Sequence, residues 1–151
     1  MQADIKIFMD DAALLVELGL EIKRAQWRHH RELDRRLAAL GGSLSQWDAI
    51  RAIDRHPGAS MHRLAEITFQ SDQSFGALTT RLISRGFIQR VPGPGRSQHH
   101  ALTAKGETLL REGQLEADQV LAESFATLDS TKRTALLALL NELNGSHATP
   151  A

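Results

Sequence analysis

Residues 60–102 read SMHRLAEITFQSDQSFGALTTRLISRGFIQRVPGPGRSQHHAL, and this stretch decides the fold. Ser60 and Ser71 each stand where a helix N-cap is expected, directly before a run whose apolar residues recur at spacings of three and four. The second run continues to about Arg85, and Gly86 follows it, as glycine follows many helices. Two helices joined by a short turn predict a helix-turn-helix.

The apolar spacing changes from helical to extended after this second helix. Phe87, Ile88 and Val91 form a short β-type run, and a return run spans residues 97–102. The intervening Pro92-Gly93-Pro94-Gly95 is a strong turn signal. Two short strands around a Pro/Gly tip predict a β-hairpin, which would be the wing of a winged helix-turn-helix.

Another helix precedes this pair. Ser45 is its expected N-cap, and Asp48 follows three residues later, as in a capping box. Trp47 lies on the apolar face, and His56-Pro57-Gly58 ends the helix. This helix, the helix-turn-helix and the wing make up the lobe of residues 43–103.

Long amphipathic helices are expected on both sides of the lobe. Apolar residues recur every three or four positions over residues 5–40, and Gly41-Gly42 ends this run. Thr103, and later Asp129 or Ser130, are expected to cap two further helices. A first helix of this length has a larger apolar stripe than a small lobe can cover, which predicts a partner subunit.

The predicted fold is therefore mainly α with a small β-hairpin: a winged helix-turn-helix with long N- and C-terminal dimerisation helices. A length of 151 residues is typical of one domain. The predicted organisation of residues 1–151 comprises dimerisation helices over 5–42 and 104–145, the lobe over 43–103, and a disordered tail over 146–151.

The charge distribution favours an anionic partner for the lobe, although the formal net charge of the chain is zero. Residues 60–105 hold six Lys/Arg and two Asp/Glu, a net charge of +4. Residues 106–151 hold three against seven, a net charge of −4. Positive charge collected in one segment is typical of a nucleic-acid-binding surface.

The outward face of the second helix is the candidate for reading DNA in the major groove. If Phe75, Leu78 and Leu82 point inward, helical geometry turns a small, polar face outward, with Arg81 at its flank. Glutamine can bind adenine, alanine can contact a thymine methyl, and arginine can bind guanine or phosphate. The candidate contacts on this helix are Gln73, Ser74, Ala77, Thr80 and Arg81. The alternative is an ordinary solvated face.

Phosphate contacts are expected at the helix starts. Ser60 and Ser71 cap their helices, and free amides at a helix N-terminus also bind phosphate. Arg63 is either a phosphate contact or a surface arginine. Arg96 follows the rigid hairpin tip and is expected to enter the minor groove, unless it is simply a solvated loop residue.

The chain resembles the MarR (multiple antibiotic resistance regulator) winged-helix family over about residues 8–144. The resemblance is carried by Leu64-Ala65-Glu66, the run LTTRLISRGFI that begins at Leu78, Arg96 after the wing tip, and LTAKG from Leu102. It implies a homodimer joined by the terminal helices. It also implies two recognition helices reading a pseudo-palindromic DNA operator.

Two segments depart from the family's pattern. The turn before the recognition helix commonly holds glycine, but here it reads Thr68-Phe69-Gln70. The wing tip commonly carries an aspartate that orients the arginine, but here it reads Pro94-Gly95-Arg96. The exact placement of Arg96 is therefore open.

Members of the family often release DNA when a small phenolic or anionic molecule binds between the dimer helices and the lobe. The candidates for such an effector site are Trp27, His30, Arg31, Trp47 and Arg51, because aromatic walls and a cation suit an aromatic carboxylate. The alternative is that Trp47 is a core residue, His30 packs as a polar residue, and the arginines are solvated.

The sequence gives little support for a metal site, a catalytic site or a membrane span. His99 and His100 would point to opposite faces of a strand, and the chain has no cysteine, so neither a metal site nor a cofactor is expected. No catalytic motif is present, which argues against an enzyme. No run approaches the roughly 20 apolar residues of a membrane span, and residues 1–4 do not start a signal peptide, so no membrane partner and a cytoplasmic location are expected.

The sequence thus predicts a homodimeric regulator that binds specific double-stranded DNA, a repressor relieved by a small aromatic or anionic effector. The alternative is a winged-helix module that binds another protein without specific DNA binding, since a fold does not fix a function.

Overall fold

The computed structural model describes residues 10–93 and 98–145. They form six helices and one hairpin: α1 (Asp11–Ala39), α2 (Leu44–Arg55), α3 (Met61–Ile67), α4 (Asp72–Ser84), β1 (Ile88–Pro92), β2 (Gln98–Leu102), α5 (Ala104–Ser124) and α6 (Ser130–Gly145). The two strands pair antiparallel, with Ile88 opposite Leu102. This architecture confirms the predicted fold class. The start of the predicted first helix and the predicted disordered tail lie outside the described residues.

Side-chain caps begin the helices. The hydroxyls of Ser60, Ser71 and Thr103 accept hydrogen bonds from the backbone N–H three residues later, at 3.1, 3.1 and 3.2 Å. The expected Ser45 cap of α2 is wrong, because the helix has already begun there. Ser43 is the cap, with an extended backbone and a hydroxyl that accepts from the Gln46 N–H at 3.3 Å.

Three helices end in the same left-handed turn, a Schellman motif. In α1, α3 and α4 the residue after the C-cap has a positive φ, and the next N–H reaches back to the carbonyl five residues earlier. Gly41 and Gly86 occupy this position with φ of 82° and 77°. In α3 the residue is Phe69, with φ of 55°. The turn of the helix-turn-helix thus forms without the glycine that this conformation favours.

The core joins the lobe to the long helices around Trp47. Its side chain is 1% exposed, and the indole Nε1 donates to the Leu110 carbonyl at 3.2 Å. A Cβ added at Gly113 would collide with the indole and approach Leu37, so glycine is needed for α5 to lie this close to α2. The other fully buried large side chains are Leu37, Ile50, Phe75, Leu82, Phe87 and Ile88.

Arg36 joins α1 to α5 through acidic side chains. Its guanidinium lies 2.8 Å from Glu32 on its own helix and 2.7 Å from Glu123 on α5. Hydrogen bonds from Arg35 and Arg36 hold the pKa of Glu32 at about 2. The long helices therefore pack on one another through a polar network as well as through the core.

Candidate nucleic-acid interface

The recognition-helix candidate α4 has one buried face and one exposed face. Phe75, Leu78 and Leu82 are at most 3% exposed and pack toward α2, α3 and β1. The opposite face is exposed to solvent, as the apolar spacing indicates. The exposed candidates are Gln73, Ser74, Ala77, Thr80 and Arg81.

Two of the four polar side chains on this exposed face, Gln73 and Arg81, are free to meet a ligand, whereas the Ser74 hydroxyl accepts from the Ser71 hydroxyl at 2.9 Å. Arg81 makes no ion pair with the residues that the structure describes. Gln73 is likewise exposed, whereas the Thr80 hydroxyl donates to the Gly76 carbonyl at 3.1 Å and retains its capacity to accept. The face therefore offers a cation, an amide and a methyl group in one row, with no acidic side chain among them.

The start of α3 lies next to the first turn of α4, where His62 contacts Asp72. Ser60 and Arg63 are both exposed, and the Ser60 hydroxyl caps the helix. Arg63 lies 3.3 Å from Glu66 on the same helix. An exposed pair of this kind contributes little to stability, so the guanidinium can exchange the carboxylate for a phosphate at little cost.

A histidine that sequence reasoning missed links the two helices of the helix-turn-helix. The His62 Nδ1 lies 2.9 Å from Asp72 in the first turn of α4, and its Nε2 lies 3.4 Å from Glu66. The hydrogen bond to Asp72, reinforced by the two negative charges, raises the pKa of His62. His62 and Asp72 are ten positions apart, so their contact depends on the angle between the helices.

The first strand of the wing carries an exposed positive charge. Arg90 is exposed on β1, opposite His100 on β2. Burial, with help from Arg90, lowers the pKa of His100, which favours its neutral form. Arg96, the expected minor-groove residue, lies outside the described residues.

The effector candidates separate into two groups. Trp27, His30 and Arg31 lie on one face of α1, where Trp27 is 54% exposed and the Arg31 guanidinium lies 5.1 Å from its ring centre. Trp47 is a core residue, so the expectation that it forms an open wall of a binding site is wrong. Arg51 lies 4.5 Å above the Trp47 ring and 3.0 Å from Asp48. Burial raises the pKa of Asp48, opposed by Arg51 and His30.

A groove of about 400 Å³ between α2 and α5 includes only one of these candidates. Its lining combines basic and apolar side chains with two acids: Arg51, Asp54, Arg55, Glu107, Leu110, Arg111, Gln114 and Leu115. The spacing of Arg51 and Arg55 places them on one helix face, which the sequence could have indicated. Only the packing of α5 against α2 brings Arg111 to them.

Within residues 10–93 and 98–145, no group of three or more His, Cys, Asp or Glu is placed to hold a metal ion. No helix in those same ranges is long and apolar enough to cross a membrane.

Comparisons place this architecture among known proteins. The model of the MarR family matches residues 40–97, which include α2, α3, α4 and β1. No curated protein sequence matches the chain.

Solved structures of that family share the fold. A mutant MarR from E. coli complexed with operator DNA is 21% identical with a TM-score of 0.78, covering 89% of this chain and 99% of that chain. A MarR family protein of Mycobacterium tuberculosis complexed with DNA is 22% identical with a TM-score of 0.68, covering 83% and 96%. The latter's complex with p-aminosalicylic acid is 24% identical to this chain with a TM-score of 0.69, covering 84% and 98%.

Proposed function

We propose that this chain is a member of the MarR family of winged-helix proteins and a homodimeric transcriptional regulator that binds specific double-stranded DNA, because the family's model matches residues 40–97 and solved MarR structures share the fold. We further propose that it is a repressor relieved by a small molecule. The observation that carries the proposal is the two-sided character of α4, with an apolar face anchored in the core and a small polar face open to solvent. A helix of this kind fits the major groove, where close approach of the backbone lets short side chains reach base edges.

Base reading is assigned to the exposed row on α4. Gln73 can bind adenine through its amide, Ala77 can contact a thymine methyl, and Arg81 can bind guanine or phosphate. Ser74 and Thr80 complete the set as hydroxyl contacts. None of these five side chains is acidic, and Asp72, the acid in the first turn of α4, is paired with His62.

Phosphate contacts are assigned to the flanks of the lobe. Ser60 and Ser71 bring helix N-termini to the backbone, and Arg63 adds a cation. Arg96 is assigned to the minor groove on the strength of the sequence, because it follows the Pro/Gly tip of the wing. The net charge of +4 over residues 60–105 supports this surface as the one that meets DNA.

The homodimer is supported by apolar side chains that one chain leaves uncovered. The large ones on α1 and α6 that are 45% or more exposed are Leu14, Leu15, Val16, Leu18, Leu20, Ile22, Trp27, Leu137, Leu139 and Leu143. No residue of α6 is buried. A leucine-rich helix that buries nothing gains little from its own chain, so a second copy is the expected cover.

The mass in solution tests the dimer. Light scattering should give twice the 16.7 kDa of one chain at micromolar concentration. Leu139→Glu should reduce the mass toward that of one chain, because it places a charge in the proposed interface, whereas the exposed Asn141→Glu is the matched control on the same helix. A wild-type protein that remains a single chain at this concentration contradicts the homodimer.

The effector is proposed to be a small aromatic carboxylate. A MarR family protein of Mycobacterium tuberculosis with this fold is known in complex with p-aminosalicylic acid and with salicylic acid. In this chain the groove between α2 and α5 combines three arginines and two leucines with two acids, so its basic side chains outnumber its acidic ones and its apolar side chains can contact a planar anion. Because it bridges the lobe and a dimerisation helix, a ligand there could shift their relative position.

Selection of bound sequences from a random duplex pool tests the DNA function. The expected product is a pseudo-palindrome whose half-sites are about one helical turn apart, bound more weakly as salt rises. Gln73→Ala should weaken binding by roughly 5- to 150-fold, corresponding to about 1–3 kcal/mol for a base contact. Arg96→Ala should weaken binding to all sequences and reduce the salt dependence. Lys132→Ala on α6 is the control for a change outside the lobe.

The competing hypothesis is a protein-interaction module that keeps the fold without specific DNA binding. It predicts no affinity for any duplex even at low salt. The same pool therefore decides between the two, since non-specific binding alone would leave no enriched sequence.

A further inference from the structure

The C-terminal end of the recognition helix is bonded to the ends of both long helices that flank the lobe. The Arg85 Nη2 donates to the Gly41 carbonyl, just past α1, at 2.9 Å. The Lys105 Nζ, in the first turn of α5, donates to the Arg85 carbonyl at 2.7 Å. The Thr103 hydroxyl donates to the Gly86 carbonyl at 2.5 Å. We call these five residues the helix-end junction.

Helix electrostatics strengthen this junction. The Gly41 and Arg85 carbonyls both lie at helix C-termini, where the helix dipole is negative, and each accepts from a cation. The buried Phe87 ring is close to both cations, with its centre 5.6 Å from the Arg85 guanidinium and 4.5 Å from the Lys105 ammonium. The cations are therefore held by a ring contact as well as by hydrogen bonds.

The junction links the recognition helix directly to the dimerisation helices. The body of α4 packs mainly on α2, α3 and β1, whereas α1 packs mainly on α5. Apolar contact between the lobe and the long helices runs largely through α2. The junction lies at the far end of α4 from Ser71 and so opposes rotation of α4 about that apolar contact.

DNA geometry makes such a rotation matter. One added base pair moves a half-site by about 3.4 Å and turns it by about 35° around the duplex axis. A dimer with fixed lobes cannot follow that change at both half-sites, whereas a dimer with pivoting lobes can. Selectivity for half-site spacing therefore depends on how firmly α4 is held to the dimerisation helices.

We propose that Arg85 and Lys105 are positioning residues that fix the angle of α4 to the dimerisation helices and thereby select one half-site spacing. The inference rests on the proposed function, since it requires a dimer that reads two half-sites. The inference assigns Arg85 no base contact. Loss of the Arg85 side chain should therefore change which operator spacings are bound more than it changes binding to a single half-site.

Operators of altered spacing provide the test. The probes are the duplex selected from the random pool and two derivatives with one base pair added or removed at the centre. The wild type should prefer the selected spacing by about tenfold or more, given typical costs of mismatched sites. Arg85→Ala should reduce this preference to about threefold or less, and Arg85→Lys should restore most of it. Affinity for a single half-site should change little.

Arg90→Ala is the matched control, because it removes an exposed arginine from the wing without touching the junction. It should weaken binding to all three operators in parallel. A parallel loss in Arg85→Ala would show that Arg85 supplies only charge and would overturn the proposal. If that variant does not fold, Lys105→Met decides, and an unchanged spacing preference again overturns it.

The outcomes distinguish the two levels of the argument. A wild type that binds no duplex refutes the proposed function and this inference together. A wild type that selects spacing, with Arg85→Ala and Lys105→Met selecting equally well, refutes only the inference.

Discussion

Replacing Phe69 by glycine should stabilise the protein. Phe69 occupies the left-handed position of the turn after α3, with φ of 55°, where Gly41 and Gly86 occupy the equivalent positions after α1 and α4. The left-handed conformation costs a residue with a Cβ roughly 1–2 kcal/mol. The Phe69 side chain is 98% exposed, so no packing compensates for that cost.

The net effect is the difference of two terms. Phe69→Gly removes the strain but gives the unfolded chain more freedom, which costs roughly 0.4–1 kcal/mol. The expected gain in the free energy of unfolding is therefore about 0.5–1 kcal/mol, or about 1–4 °C in Tm for a chain of this size. The turn's hydrogen bonds, from the Phe69 N–H to the Glu66 carbonyl at 3.0 Å and from the Gln70 N–H to the Ala65 carbonyl at 2.9 Å, use only backbone atoms and should persist.

Phe69→Ala separates backbone strain from the ring. Alanine keeps the Cβ and removes the exposed ring, so its stability should stay within about 0.5 kcal/mol of the wild type. Thermal and urea unfolding of all three proteins at one protomer concentration provides the comparison, since the stability of the proposed dimer would depend on concentration. If the glycine variant is no more stable than the alanine variant, the strain argument fails.

Two further perturbations follow from close contacts. Gly106→Ala should lower the free energy of unfolding in urea by about 1–3 kcal/mol, because its Cβ would collide with the Phe87 carbonyl oxygen. Gly76→Ala is the control and should cost nothing, because a Cβ there meets open space on α4. Equal effects of the two substitutions would contradict this reasoning. His62→Gln should lower Tm more at pH 6 than at pH 8.5, because the hydrogen bond to Asp72 raises the folded-state pKa of His62. The stability that protonated His62 contributes is complete below its unfolded-state pKa of about 6.5 and is lost as pH rises through the folded-state pKa. A Tm difference independent of pH would exclude this linkage.

Local chemistry made much of the lobe predictable. Ser60 and Ser71 cap α3 and α4 because a short hydroxyl before an apolar run satisfies free N–H groups within three residues. The spacing of Phe75 and Leu82 identified the buried face of α4 because helical periodicity fixes which residues share a side. The predicted position of the α2 cap was wrong because Ser43 and Ser45 are locally equivalent candidates. The path of the chain from α1 determines that Ser43 is the cap.

Tertiary structure decided the features that join distant segments. The burial of Trp47 depends on Gly113 of α5, and the contact of Arg85 with Gly41 spans 44 positions of the chain. Periodicity and capping act over a few residues, so the sequence by itself determined the helices, the hairpin and the exposed row on α4. The angles between helices arise from packing over the whole core, and they alone brought Arg111 to the groove and His62 to Asp72.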